Sequence, residues 1–374
     1  MYKNLILPAS ILAGTIIGAG MFSLPFVFRK AGLTTGLVYL SAFALIYIFI
    51  YWLYADIILR TRGEHRFVGY AKIYLGNIGF GTALFIGLIQ LFFVLTIYLI
   101  LGPSFSRLFI SADSLYHFLG FWLFGSAAIL LSTRRIAFLE FLMVAGIALI
   151  IFLAAGLGLK SFLSATDFSQ PIKWSNFFVA GPILFALSGS LAVPEVVSYF
   201  KESSAPISFL KKSLALGSIL SAIVYAAFVF GVWGLSQQIS EDAVSGLVGQ
   251  VPEWILALLG ILGFLSLFSS YIVVGLNLRR ILEYDLSLSG WLSRALVIFT
   301  PPALYFSGFQ NFVYLVSFVG ALFLPLENLF IILMWLKADR ISMYASILVG
   351  GLTRKIIPLL ILIFVGVLGY VIIK

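Results

Sequence analysis

The sequence predicts an all-α polytopic membrane protein of about eleven transmembrane helices, with the first and sixth broken inside the bilayer. Three observations carry that reading. The 374-residue chain is 62% hydrophobic and 10% charged, with a mean hydropathy of +1.14. No aqueous fold has interior enough to hide such a surface. The charges are confined to short segments between apolar runs of about 20 residues, the length of a crossing helix, without the ten-residue alternation of a barrel. Two of the runs are interrupted by glycine, serine and proline, at corresponding places in two halves of the chain.

The apolar runs fall at 5–28, 35–58, 79–102, 118–132, 135–159, 176–199, 212–235, 253–278, 291–306, 311–336 and 355–373. With the N-terminus in the cytoplasm, the inside segments hold Lys3, Arg60, Arg62, Arg66, Lys72, Arg134, Arg135, Lys201, Lys211, Lys212, Arg279, Arg280, Arg294, Lys337, Arg340, Arg354 and Lys355. The outside segments hold Arg29, Lys30, Arg107, Lys160, Lys173 and Lys374. Seventeen against six is a positive-inside signal, so the net charge of +9 orients the chain and calls for no nucleic acid. The partner of this surface is the lipid bilayer.

In the first run, Gly14, Gly18 and Gly20 fall within seven residues and Pro25 follows, so a span long enough to cross has a weak middle. Unwound backbone at membrane depth persists only beside protein or a water-filled cavity, and its opened helix ends suit a small zwitterion or an ion. Gly14 and Gly18 also fit small-xxx-small helix packing, which stays open on this segment alone. A signal peptide would fit Lys3 and the apolar run, but no small-residue cleavage site follows.

The second run is rich in Tyr and Phe and ends at Asp56 and Arg60; the loop Thr61 to Asn77, with Glu64, Arg66 and Lys72, reads as an inner-face segment that can lie on the bilayer. Gln90 and Tyr98 are embedded in the third run, where pairing with a neighbouring helix and lining a cavity are the alternatives. Arg134 and Arg135 open the fifth, and Glu140 is expected to pair with a nearby arginine. His65 and His117 fall in polar stretches and read as solvated or interfacial side chains, neither metal ligands nor bases. The absence of cysteine excludes disulfides and thiolate metal sites.

The sixth run, Phe185-Ala-Leu-Ser188-Gly189-Ser190-Leu-Ala-Val-Pro194-Glu195, places two hydroxyls, a glycine, a proline and a carboxyl inside an apolar crossing. It opens the second set of five helices as the first run opens the first set. Paired interrupted spans point to a transporter binding site at the midplane, and an odd number of helices per half makes the halves inverted. In the eighth run Ser269 and Ser270 are adjacent; one can cap a carbonyl while the other reaches a cavity, or both can bond back to their own helix. Pro301-Pro302 ends or kinks the ninth run, and Glu327 is an embedded acid in the tenth, without an assigned role.

Gly14-Thr-Ile-Ile-Gly-Ala-Gly-Met-Phe-Ser-Leu-Pro25 resembles the first-helix signature of the amino acid/auxin permease family, including its bacterial aromatic amino acid permease branch, within the amino acid-polyamine-organocation superfamily. The sixth-run motif is similar to that family's broken sixth helix. Lys211-Lys-Ser-Leu-Ala-Leu-Gly-Ser-Ile-Leu with Gly231-Val-Trp-Gly resembles its seventh, and Phe268-Ser-Ser-Tyr-Ile-Val its eighth. The likeness runs from about Leu5 to Leu336. It implies a leucine-transporter-like five-plus-five inverted-repeat fold in one domain over 1–374: a first repeat at 5–159, an inverted second at 176–336, and an additional helix at 355–373.

The resemblance further implies secondary transport of amino acids, aromatic or neutral, driven by a proton or sodium gradient through alternating access, in a plasma or bacterial inner membrane and without a cofactor. Carried over, amides around Thr15, Ile16, Gly18, Ala19 and Gly20 hold the substrate carboxylate. Carbonyls and hydroxyls at Ser188, Gly189 and Ser190 receive the ammonium group, and Phe185 is a candidate gate. Ser269 and Ser270, with Gly14 and Ile17 carbonyls, match the cation site of sodium-coupled relatives, although Ser-Ser replaces the more usual Thr-Ser. The fifth-helix lysine of some proton-coupled relatives is absent, and Glu195 is a candidate proton carrier. A membrane enzyme would need clustered acids or histidines where this chain has only dispersed Glu140, Glu195 and Glu327. A channel would need a filter or charged ring. The remaining alternative is a transporter-like amino acid sensor without net transport, against which the four-residue N-terminal tail argues.

Overall fold

The computed structural model describes residues 2–63, 65–131, 136–165, 177–203, 206–236, 238–341 and 346–373. These residues contain no β-strand, and eight of their helices are long and apolar enough to cross a bilayer. A bent pair, Lys3–Ile16 and Ala19–Ala31, meeting at 55°, makes a further span at the N-terminus. Ser114–Leu131 and Gly290–Phe306 are shorter and stand where the sequence has its two shortest apolar runs. The described spans after the bent one are, in order, Leu33–Arg60, Phe67–Ser106, Ser114–Leu131, Ile136–Ala165, Phe177–Ser203, Ile207–Leu235, Glu253–Arg280, Gly290–Phe306, Phe312–Ile341 and Gly351–Ile373.

The third span is 40 residues long, about 60 Å if straight and twice the hydrocarbon thickness. Gly76 resolves the excess: at φ +73° it adopts a conformation closed to most L-residues and turns the segment from Phe67 away from the crossing helix. That segment falls within the stretch from Thr61 to Asn77 expected to lie along the bilayer surface.

The spans pack in two groups. The seventh lies against the inner half of the first and against the second, and the sixth is held between the first and second. The third, fourth, eighth and ninth form the other group; the fifth packs on both the seventh and eighth, and the tenth on both the second and third. The bent first span and the sixth therefore meet in the middle of the molecule.

The second, tenth and eleventh spans are tied at one end by a buried carboxylate. Asp56, fully buried, accepts from Trp335 Nε1 (2.8 Å), Ser346 Oγ (2.9 Å) and the amides of Ile347 (2.9 Å) and Leu348 (3.0 Å). Arg60 Nε lies 3.1 Å from the same group, Arg60 Nη1 reaches Asp339 at 3.3 Å, and Arg354 closes on Asp339 at 3.0 Å.

His117 differs from its expected solvated place. It lies in the first turn of the fourth span, is buried, and its Nδ1 is 2.7 Å from Ser106 Oγ at the end of the third. An imidazole beside a hydroxyl can be carried into a helix contact that sequence polarity alone reads as a loop. Glu64, Arg134, Arg135 and Lys173 lie outside the described residues, as does the side chain of Glu140.

Candidate functional site

The first span ends its inner helix at Ile16. Ile17 is extended (φ −71°, ψ 94°), Gly18 is extended, and a 3₁₀ turn starts at Ala19, with the Met21 amide donating to the Gly18 carbonyl at 3.2 Å. The sixth repeats the device: its helix ends at Leu187, Ser188 is extended, and a 3₁₀ turn at Ser190–Ala192 leads into Val193–Ser203. The two breaks pack against each other. A Cβ on Gly189 would stand 2.5 Å from Ile16 Cγ1, and one on Gly20 would stand 2.7 Å from Ala186 Cα. Gly18 is different: a Cβ there would meet only the Ile16 carbonyl oxygen, at 3.9 Å, so open space lies beside the first break.

Breaking two helices at membrane depth frees carbonyls that water cannot reach. Three buried tyrosines take them. Tyr225 of the seventh span shares its one hydroxyl hydrogen between the carbonyls of Ile16 (2.5 Å) and Ala186 (2.7 Å), joining the two breaks through one group. Tyr51 and Tyr47 of the second donate to Leu187 (2.6 Å) and Leu184 (2.9 Å). Tyr225→Phe removes the one hydrogen that two buried acceptors share, at about 1–3 kcal/mol. The variant is expected to unfold at a clearly lower temperature in detergent; a wild-type melting midpoint would show that the carbonyls find other partners.

Around the sixth-span break the polar groups are only partly matched. Ser190 Oγ is buried with no hydrogen-bond partner. Its carboxylate neighbour is Glu327 of the tenth span, which also faces the Gln90 amide of the third. Ser188 and Asn328 face Tyr47, and Asn328 Nδ2 is buried without a partner. A π turn at Val319–Phe323, one turn before Glu327, packs the tenth span onto Ala180–Leu187. Such bulges often mark functional positions, because they re-aim the side chains that follow.

The substrate-binding positions expected from sequence are thus brought together: Ile16, Gly18, Ala19 and Gly20 face Phe185, Ser188, Gly189 and Ser190 across the two breaks. Phe185 is half-buried beside Gly20. Thr15 is exposed and its hydroxyl bonds back to Ile11 at 3.1 Å, so its side chain is not presented to the break.

One ion-coupling candidate sits otherwise than expected. Glu195 is not in the middle of the crossing. Its carboxylate pairs with Arg66 at 3.0 Å, with its side chain 54% exposed, because the sixth span resumes as a helix at Val193 and carries the acid out to the inner segment. Ser269 and Ser270 both donate to the Ser266 carbonyl, at 2.8 and 3.0 Å, the back-bonding that is one of the two alternatives open from sequence, and Ser270 also faces Tyr98 of the third span. Gly14 and Ile17 are half-buried on the first span, whose inner half packs mainly on the seventh.

Sequence reasoning missed Tyr47, Tyr51, Tyr225, Asn328 and the surroundings of Glu327. A signal existed for the first two: phenols four residues apart in an otherwise apolar helix need acceptors on one shared face.

The model of the tryptophan/tyrosine permease family matches residues 1–372. The tryptophan-specific transport protein of Shigella flexneri is 26% identical over 345 residues, 83% of this chain and 81% of that protein. Glutamine transporter 2 of Aliivibrio fischeri is 27% identical over 292 residues, 72% of each chain. Among solved structures, MhsT in complex with L-phenylalanine superposes with a TM-score of 0.62 at 17% identity, covering 96% of this chain and 98% of that one. Mhp1, a nucleobase-cation-symport-1 family transporter in a closed conformation with bromovinylhydantoin bound, gives 0.61 at 14% identity, covering 90% and 79%. The fold is the leucine-transporter-like one, with its first and sixth helices broken.

Proposed function

Because the chain belongs to the tryptophan/tyrosine permease family, we propose that it is a secondary active transporter of neutral amino acids, aromatic ones among them, coupled to a proton gradient. The observation that carries this reading is the open space beside Gly18 in the break of the first span, next to where that break packs on the break of the sixth. Amides at Ala19 and Gly20 open the 3₁₀ turn and suit a carboxylate; the helix end at Leu187 and Ser188 offers oxygens to an ammonium group. Rocking of the first, second, sixth and seventh spans against the other group would expose the site to each side in turn.

Burial around the site is uneven, which supports entry from the side of the N-terminus in this conformation. Ala19–Ser23 is buried throughout, and Phe22 closes edge-on over Phe105 (4.9 Å) and Phe228 (5.7 Å). On the other side of the breaks Leu191 is exposed. The positive-inside count supports a cytoplasmic placement of that side, and the motif likeness to amino acid/auxin permeases points to the same activity.

The test is uptake of radiolabelled tryptophan, tyrosine, phenylalanine and glutamine into proteoliposomes, with proton and sodium gradients imposed separately. Accumulation of at least one under a proton gradient is the expected result; binding without accumulation would make the chain a sensor. Ser269→Ala with Ser270→Ala is expected to leave uptake unchanged, and wild-type uptake to be equal in sodium and choline buffers. Sodium-dependent uptake that the double substitution removes would reinstate the eighth-span cation site.

A further inference from the structure

We propose that Glu327 is the proton-binding residue of the transport cycle and that Ser190 transmits its protonation state to the substrate site. The proposal rests on the transport reading above and assigns its coupling group.

The geometry singles out Glu327 among the acids of the described spans. Asp56 is satisfied by four donors and Arg60, and Glu195 is paired with Arg66 toward solvent. Glu327 has no ion pair among the described residues, and it lies halfway along the tenth span, directly after the π turn that packs on the sixth. Its neighbours come from other elements, Ser190 from the sixth span and Gln90 from the third, so the carboxyl points into the bundle. As a whole residue it is half-buried. The titratable groups that face it are the phenols Tyr47, Tyr51 and Tyr54 of the second span; the third and sixth spans present only the neutral Gln90 and Ser190. Tyr47 and Tyr51 already spend their hydrogens on Leu184 and Leu187 carbonyls.

An unpaired carboxylate at membrane depth must take a proton or a cation. The neighbours favour the proton. A hydroxyl and an amide each both donate and accept, so they serve the acid and the anion alike, and neither form leaves a polar group stranded. Ser190 is where this becomes transport. Its hydroxyl sits on the broken stretch of the sixth span and has no partner. Beside an ionised Glu327 it must donate to the carboxylate; beside a protonated one it can accept, and its hydrogen is released to the acceptor that a substrate brings, its carboxylate, which an ionised Glu327 would instead repel. Proton and substrate then strengthen each other's binding, as linkage requires of a symporter.

The experiment uses the full chain in proteoliposomes with L-tryptophan, and with tyrosine, phenylalanine and glutamine run in parallel. Three readouts are taken: counterflow exchange, accumulation under an inward proton gradient, and binding affinity across pH. At one proton per substrate, a one-unit pH gradient supports about tenfold accumulation. Wild type is expected to approach that ratio and to bind more tightly as pH falls. Glu327→Gln is expected to keep counterflow, to lose accumulation, and to bind with an affinity that no longer varies with pH. Glu327→Asp should restore the pH response, and Ser190→Ala should move its midpoint.

Retention of the wild-type pH response in Glu327→Gln overturns the assignment, as does equal loss of binding and counterflow in a folded Glu327→Gln, which would make the acid a ligand for the substrate ammonium. If Glu327→Gln does not fold, an unmoved midpoint in Ser190→Ala overturns it instead. Wild-type accumulation that follows sodium and ignores pH removes the proton assignment and leaves transport standing. Exchange of no amino acid by wild type removes the transport reading itself.

Discussion

Replacing Gly18 with leucine is expected to abolish amino acid binding and uptake while the protein inserts, folds and elutes as wild type does. The expectation rests on a difference between two glycines two residues apart. At Gly20 a side chain would run into the backbone of Ala186 at 2.7 Å, so Gly20→Leu forces the two broken helices apart and should lower the melting midpoint. At Gly18 the nearest atom to a new Cβ is 3.9 Å away and the backbone is extended, a conformation open to any residue. A leucine there costs the fold little and fills the space beside the first-helix amides. A loss of at least about 100-fold in affinity, roughly 2.7 kcal/mol, is expected. Binding measured by scintillation proximity on detergent-purified protein, with a melting curve on the same sample, separates the two outcomes. Wild-type affinity in Gly18→Leu would remove the site from this break.

What could be read from sequence followed from solvent. A bilayer leaves few ways to satisfy backbone groups, so apolar length places helices, and interruptions within that length mark where the chain lines something other than lipid. Gly14 to Pro25 and Ser188 to Glu195 were visible for that reason. The partners of the interruptions were not. Tyr225 meets Ile16 and Ala186 across 209 and 39 residues of chain, and no local periodicity encodes such a contact. Glu195 shows the opposite limit. A carboxyl one residue after a proline in an apolar run reads as embedded, but the helix restarts two residues earlier and carries it to Arg66. Glu327 is embedded, and only the meeting of three spans shows what it faces. Residues whose role lies along the chain were legible, whereas those whose role lies across the bundle needed coordinates.

The largest effect on stability is expected from Asp56→Ala. Asp56 accepts four hydrogen bonds and the Arg60 ion pair from a position with no exposure. Two of the donors are successive amides, Ile347 and Leu348, at the entrance to the eleventh span; another is the indole of Trp335, itself covered by Arg60 and Arg354 at 6.0 and 5.9 Å from its ring. Removing the carboxylate leaves those donors buried and unpaired and leaves Arg60 with Asp339 alone. Breaking a buried pair from one side costs about 3–5 kcal/mol, against a total of about 5–15 kcal/mol for a typical native protein. Asp56→Ala should therefore accumulate poorly in membranes and melt well below wild type. Asp56→Asn, which keeps one acceptor oxygen but turns an amide nitrogen toward donors, should fall between them. If both variants melted with wild type, the tie between the second, tenth and eleventh spans would be carried by apolar packing instead. The cluster also fixes the lower half of the tenth span, the helix that presents Glu327. A variant that loosens it without unfolding is therefore expected to weaken gradient-driven accumulation more than counterflow, the same split predicted for Glu327→Gln and reached from the other end of the helix.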